Sequence, residues 1–263
     1  MGVTRRRVLA ALLLVAGVVC GGAATAAVRA SPAPPRILRP GQYPYSSFAG
    51  GTWINYLLYA PSAYGKNPKQ RWPLIVFLHG TGERGTDPLA LEAQPLPKTL
   101  ATTTSFPAVV LSPQVPLAYY SWSPLIEPVD ALVAQIEMRY RIDPHRVYLT
   151  GLSMGGFGTW RYALAHPTRF AAVVPIAGGY VQGSTAIPPN ICVLRGTPIW
   201  VFDGLADTIV HPYQSETLVK ALRACGSSVV RLTEYEGVDH FGSWPRAYAD
   251  PALWKWLFAQ RRR

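Results

Sequence analysis

Charged residues are scarce in this sequence. Asp, Glu, Lys and Arg make up 15% of 263 residues and hydrophobic residues 49%, which excludes a disordered, charge-rich chain. What remains is a packed globular protein whose 23 glycines and 25 prolines imply many turns. No internal repeat is present, and no basic stripe interleaved with aromatics runs along the chain, so nucleic acid is not expected as a partner. The formal net charge of +11 does not supply one: four of the 25 basic residues fall within residues 1–30, leaving 21 against 14 acidic. Three of those are the run Arg261-Arg262-Arg263, read as a solvated tail.

The apolar stretch 8–19 falls short of the ~20 residues that a bilayer-spanning helix needs. It follows Arg5, Arg6 and Arg7 and precedes Gly21, Gly22 and the small residues Ala24-Thr25-Ala26, so residues 1–30 read as an export signal, with membrane contact only during export. Thr4-Arg5-Arg6-Arg7-Val8-Leu9 resembles a twin-arginine signal, and the apolar core would also serve the general secretory route. Cys20 lacks the preceding leucine and small residues of a lipoprotein signal. Once the signal is removed, Cys192 and Cys225 are left as an even pair in an oxidising compartment. A disulfide between them would stabilise the fold by roughly 3 to 4 kcal/mol in the chain-entropy picture.

Residues 31–44, with Pro32, Pro34, Pro35, Pro40 and Pro44, read as an extended lead-in to a single domain over 45–263. Within that domain, short apolar runs at 52–59, 74–78, 108–112, 147–150, 171–176, 199–202 and 229–235 read as strands. Helical periodicity appears at 128–141, 154–165, 213–224 and 251–260. Most strand runs are continuously apolar, the pattern of a parallel sheet buried on both faces. Strand and helix alternate, predicting an α/β class protein with a doubly wound, mostly parallel sheet whose site forms at the carboxyl ends of the strands. No insertion is long enough for a lid domain.

Gly151-Leu152-Ser153-Met154-Gly155 falls where a strand gives way to a helix, the setting of a nucleophile elbow. The turn is sharp, so small residues must flank a serine whose hydroxyl is lifted into the open; a glycine-rich turn with a capping serine is the plainer alternative. A serine hydroxyl needs a base within hydrogen-bond reach. Of five histidines, His166 closes the following helix, His145 sits at the opposite edge of the sheet, His211 begins a later helix and His79 suits a backbone-shaping role. His240, in the loop Gly237–Gly242, completes the chain order serine, acid, histidine used by this kind of site. The acid is expected after the strand at 199–202, where Asp207 fits best; Asp203 is the nearest rival, and Asp239 adjoins the histidine it would have to hold. The oxyanion would rest on the backbone N–H of Met154 and, from the Gly-rich loop 79–82, that of Thr81.

The segments His79-Gly80-Thr81-Gly82-Glu83-Arg84-Gly85, Ser112-Pro113-Gln114, Gly151 to Trp160 and Asp239-His240-Phe241-Gly242-Ser243-Trp244 resemble those of secreted carboxylesterases of the α/β-hydrolase fold, often labelled predicted peptidases and related to feruloyl esterases and polyhydroxybutyrate depolymerases. The resemblance runs from about residue 73 to 260. It implies a serine esterase that uses neither metal nor cofactor, with Glu83 and Arg84 supporting the oxyanion loop. Asp203 departs from it, since such proteins often carry histidine there. Trp122, Trp160 and Trp244, with Tyr119, Tyr120 and Tyr180, are candidates for an aromatic pocket around a small or polymeric ester, or equally for core packing. The same triad would serve a serine peptidase, and the same scaffold a non-catalytic binding module.

Overall fold

A strand buried on both faces must be apolar on both, yet its side chains still alternate, so neighbouring residues of one run feed two separate cores. The computed structural model, which describes residues 1–2 and 38–262, has this arrangement. Among the described residues the strands are β1 (Gly41–Ala49), β2 (Thr52–Ala60), β3 (Trp72–Leu78), β4 (Val109–Pro113), β5 (Ile142–Leu152), β6 (Ala172–Ile176), β7 (Ile199–Gly204) and β8 (Val230–Tyr235). The helices are α1 (Pro95–Thr102), α2 (Ile126–Arg139), α3 (Met154–Ala165), α4 (Tyr213–Ala224), α5 (His240–Ala249) and α6 (Pro251–Ala259). The strands form one sheet in the order β1-β2-β4-β3-β5-β6-β7-β8. The β1–β2 and β2–β4 pairings are antiparallel; all later ones are parallel.

Leu74, Val76 and Leu78 of β3 point to one face, where they join Leu132 and Ile136 of α2, Trp160 of α3 and Leu218 and Leu222 of α4 in a buried cluster. Ile75 and Phe77 point to the other, against Leu96 and Leu100 of α1, Trp244 and Tyr248 of α5 and Leu253 and Trp256 of α6. Each such side chain contributes about 1.5 to 3 kcal/mol of burial free energy, so the sheet is a stiff platform for the loops at its carboxyl edge. The mostly parallel, doubly wound sheet expected from the alternation of apolar runs is present. The connection 177–198, between β6 and β7, holds only a short 3-10 turn at Ile191–Leu194 and no inserted lid domain.

Three details differ from expectation. Residues 41–44, read as lead-in, begin β1, an edge strand that doubles back on β2 through Gly50 and Gly51, both at positive φ. The helix α1 was not anticipated, because Pro95 and Pro97 open it; both lie in its first turn, where an N–H is dispensable. The segment carrying His240 is no loop: His240 is the first residue of α5. The export signal and residues 31–37, apart from residues 1 and 2, lie outside the described residues. Cys192 and Cys225 are joined by a disulfide, with Cα atoms 5.3 Å apart.

Candidate active site

The chain leaves β5 at Leu152 and enters α3 at Met154 with a single residue between them. That residue, Ser153, sits at φ 53° and ψ −119°, a region that costs a side-chain-bearing residue about 1 to 3 kcal/mol and persists only where the surroundings enforce it. The enforcement is visible: the Ser153 N–H donates to Ile176 O at 3.0 Å, and the Ser153 carbonyl accepts from Phe157 N–H at 3.0 Å. The flanking glycines are required by close approach. A Cβ at Gly155 would collide with the Leu78 carbonyl, and one at Gly151 with the Gly155 backbone. The first N–H groups of α3, from Met154 onward, have no carbonyl ahead of them in the helix and point out of its positive end.

Ser153 Oγ lies 2.9 Å from His240 Nε2, and His240 Nδ1 lies 2.6 Å from Asp207 Oδ2. An ionised carboxylate can only accept, so Nδ1 carries the imidazole proton, and Nε2 is left with a lone pair facing the serine hydroxyl. The Asp207 carboxylate is itself held on its other oxygen by the N–H groups of Ile209 at 2.9 Å and Val210 at 2.8 Å. Burial acts to raise the Asp207 carboxyl, but the hydrogen bond from His240 and those from Val210 and Ile209 outweigh it and hold the group below its ordinary value. Asp239 caps α5 by accepting from Gly242 N–H at 2.8 Å, while Trp244 and Phe241 stand edge-on to the His240 ring with centroids at 4.9 and 5.4 Å. Ring position is thus fixed by a helix start, a carboxylate and two aromatic walls.

The rival residues stand elsewhere. His79 is fully buried, accepts from Val115 N–H at 2.9 Å through Nε2 and contacts Gly80 O at 2.6 Å through Nδ1, so both ring nitrogens are committed to backbone. His145 contacts Arg262 O, His166 contacts Glu127, and His211 stacks on Tyr213. Asp203 is buried beneath the site with Ser215, not His240. The loop after β3 abuts the elbow, since a Cβ on Gly80 would come within 3.8 Å of Ser153 Cβ. It is pinned by Arg84 Nε to Thr81 O at 3.1 Å, Gln114 Nε2 to Glu83 O at 2.9 Å and a Glu83 carboxylate 3.7 Å from His79.

A cavity of about 260 Å³ opens over Ser153, lined among others by Thr81, Tyr120, Trp122, Met154, Phe157, Arg161, Tyr180 and Ile209. Of the three expected pocket tryptophans, Trp122 lines it and also donates from Nε1 to His79 O at 3.1 Å. Trp160 is a correction: it turns away from the cavity and is fully buried between α3 and the sheet. Trp244 likewise backs the His240 ring from the opposite core instead of lining the cavity. Arg161 and Phe157 escaped the sequence reading, although the spacing 154, 157, 158, 161 puts one face of α3 in line with the serine. Groups of three or more His, Cys, Asp or Glu able to hold a metal ion are absent among the described residues.

Residues 123–247 match the model of the Dienelactone hydrolase family. The bifunctional acetylxylan esterase/xylanase XynS20E of Neocallimastix patriciarum is 29% identical over 185 residues, 68% of this chain and 25% of its own, so this chain spans a quarter of that relative. A thermostable esterase of known structure is 36% identical with a TM-score of 0.68, covering 84% of this chain and 64% of its own. A mutant of the feruloyl esterase module from Clostridium thermocellum, complexed with sinapinate, superposes with a TM-score of 0.65 at 15% identity over 85% of this chain and 92% of that one, a likeness of fold alone. Sheet order, elbow and family model converge: the chain has the α/β-hydrolase fold and is similar over residues 123–247 to the Dienelactone hydrolase family.

Proposed function

We propose that this protein hydrolyses carboxylic esters through an acyl-enzyme, with Ser153 as nucleophile, His240 as general base and Asp207 holding the imidazole. The observation that carries the proposal is the unbroken line of hydrogen bonds from Ser153 Oγ through both nitrogens of His240 to Asp207. As Oγ attacks the ester carbonyl, its proton passes to Nε2, and the imidazolium that forms is stabilised by the adjacent carboxylate. The carbonyl oxygen becomes an anion beside the N–H of Met154, at the positive end of α3, and that of Thr81; each donor is worth roughly 3 to 4 kcal/mol in such sites. His240 then protonates the departing alcohol, and a water activated by the same nitrogen releases the acid. The esterase names of the similar proteins favour esters over peptides, and the lidless cavity suits small esters or exposed ends of a polymer.

The test is turnover of p-nitrophenyl esters of increasing chain length. Ser153→Ala should lower kcat by roughly 10⁴ to 10⁶; undiminished hydrolysis by that variant would refute the mechanism. We also propose that the protein is exported through residues 1–30, a reading that the disulfide supports. Arg5→Lys with Arg6→Lys should abolish export if the twin-arginine route is used, and leave it unchanged if the general route suffices.

A further inference from the structure

An oxyanion hole needs two N–H groups aimed at one point, and secondary structure supplies only one of them here. Met154 N–H opens α3 and points where the helix axis takes it. Thr81 N–H belongs to a loop, where a peptide plane is free to turn and put its carbonyl in place of its N–H. Cis peptide bonds are absent among the described residues, and in a trans peptide the two groups point opposite ways. Whatever holds the carbonyl of Gly80 therefore aims the N–H of Thr81.

Three successive carbonyls of this loop each have a side-chain donor. Trp122 Nε1 donates to His79 O at 3.1 Å, His79 Nδ1 to Gly80 O at 2.6 Å and Arg84 Nε to Thr81 O at 3.1 Å. The other side of the imidazole decides the direction of the middle bond: His79 Nε2 accepts from Val115 N–H at 2.9 Å, so the ring proton of the neutral imidazole sits on Nδ1. Both rings are buried, with centroids 5.0 Å apart. The indole also lies close on the helix that the nucleophile opens, since a Cβ at Gly158 would stand 2.7 Å from Trp122 Cβ and Cγ. Trp122 thus bridges α3 and the oxyanion loop, and it walls the cavity together with Thr81 and Met154.

We infer that Trp122 and His79 are positioning residues of the oxyanion hole, which turn the carbonyls of His79 and Gly80 aside and so keep the Thr81 N–H aimed at the reacting carbon's oxygen. This rests on the esterase reading above. Trp122 acts through the His79 carbonyl and His79 through the Gly80 carbonyl; Arg84, which the resemblance already assigns to this loop, completes the set. A donor held before the ester arrives needs no reorganisation as charge develops on the carbonyl oxygen. The ground-state carbonyl carries little of that charge, so the effect falls on kcat more than on KM.

The experiment replaces Trp122 by 3-benzothienylalanine, which keeps the shape of the ring and exchanges its N–H for sulfur, with Trp122→Phe and His79→Phe beside it. Readouts are kcat and KM on p-nitrophenyl butyrate and the KI of an aryl trifluoromethyl ketone, whose adduct with Ser153 carries the oxyanion. The benzothienyl protein should lose roughly ten- to a hundredfold in kcat, less than the 10² to 10³ for removing a donor outright, with KM within about twofold. KI should rise by the factor by which kcat/KM falls, and His79→Phe should lose more than either change at Trp122. The inference is overturned if the benzothienyl protein keeps the wild-type kcat and KI, or if its loss lies in KM alone, as a damaged cavity wall would give. Ser153-dependent turnover that ignores the isostere would leave the esterase reading standing; no turnover by the wild type would bring down both.

Discussion

Asp203 and Asp207 stand one short turn apart at the end of β7, both almost out of solvent, at 1% and 2% exposure, yet their carboxyls move in opposite directions. Asp207 receives three hydrogen bonds, from His240, Ile209 and Val210, and is held low. Asp203 is pushed well above its ordinary value, above all by burial; the hydrogen bond from Ser215 opposes this without offsetting it, and the neighbouring charges of Glu234, Asp207 and Glu216 add smaller upward pushes. That bond is long, at 3.3 Å, and the Ser215 proton has a nearer acceptor in Gly178 O at 2.7 Å; Asp203 Oδ2 has no hydrogen-bond partner among the described residues. Burial therefore does not decide what a carboxyl becomes. The supply of donors does, and only the donor-rich one can serve as a fixed anion behind an imidazole.

The sharpest way to break this contrast is to neutralise each carboxyl in turn. Asp207→Asn presents an amide where an acceptor is required, favours the wrong imidazole tautomer and should lower kcat roughly 10⁴-fold. Asp203→Asn should stay within about threefold of wild type, since its oxygens touch neither His240 nor the cavity. Steady-state kinetics on one ester decides it, and equal losses in the two variants would dissolve the distinction.

Stability against pH sharpens it next. Because the folded-state value of Asp203 lies above the unfolded one, its contribution is fully present below about pH 4 and is lost as pH rises through the folded value, each unit of elevation amounting to about 1.4 kcal/mol. Asp207 is depressed, so its contribution is present above about pH 4 and disappears as pH falls through its folded value. Urea unfolding across pH should find that Asp203→Asn removes the alkaline-side loss and Asp207→Asn the acid-side one. The same slope in wild type and Asp203→Asn would contradict the assignment.

Smaller effects follow at the margins. Ser215→Ala leaves Gly178 O without its donor and should cost about 1 to 2 kcal/mol of stability with little change in turnover. Trp160→Phe should behave alike, at about 1 to 2 kcal/mol, because Trp160 faces the core, whereas Trp122→Phe, at the cavity, should also lower kcat/KM through the lost bond to His79 O. A kinetic defect in Trp160→Phe larger than in Trp122→Phe would place the cavity wrongly.

Much of this was legible in the residues. Helices α3 and α4 fall where periodicity puts them, at Met154–Ala165 and Tyr213–Ala224, because their apolar faces repeat without interruption. Ser153, Asp207 and His240 were legible because each follows a strand in a fixed order, which a linear text preserves. β1 was not, since Pro44, Ser46 and Ser47 belong to a half-exposed edge strand whose pairing partner, not its composition, makes it a strand; only Gly50-Gly51 between the two runs signalled the hairpin. α5 was hidden by Gly242 and Pro245, and it forms because Trp244, Ala247 and Tyr248 bury against the sheet and Asp239 caps its start. The tryptophans were undecidable from spacing alone: Trp122, Trp160 and Trp244 differ only in which side of a packed layer they face. Arg161 was overlooked because a charged residue on a helix ordinarily marks its solvated face, and here that face borders the serine.

The account depends on an imidazole that activates one serine, and a fluorophosphonate probe followed by mass mapping tests this most directly. The result expected is a single adduct on Ser153, formed at a rate that drops by at least a hundredfold in His240→Ala and is lost in Ser153→Ala, consistent with nucleophile and base acting as a unit. An adduct on another residue, or labelling of Ser153 at an unchanged rate without His240, would contradict it.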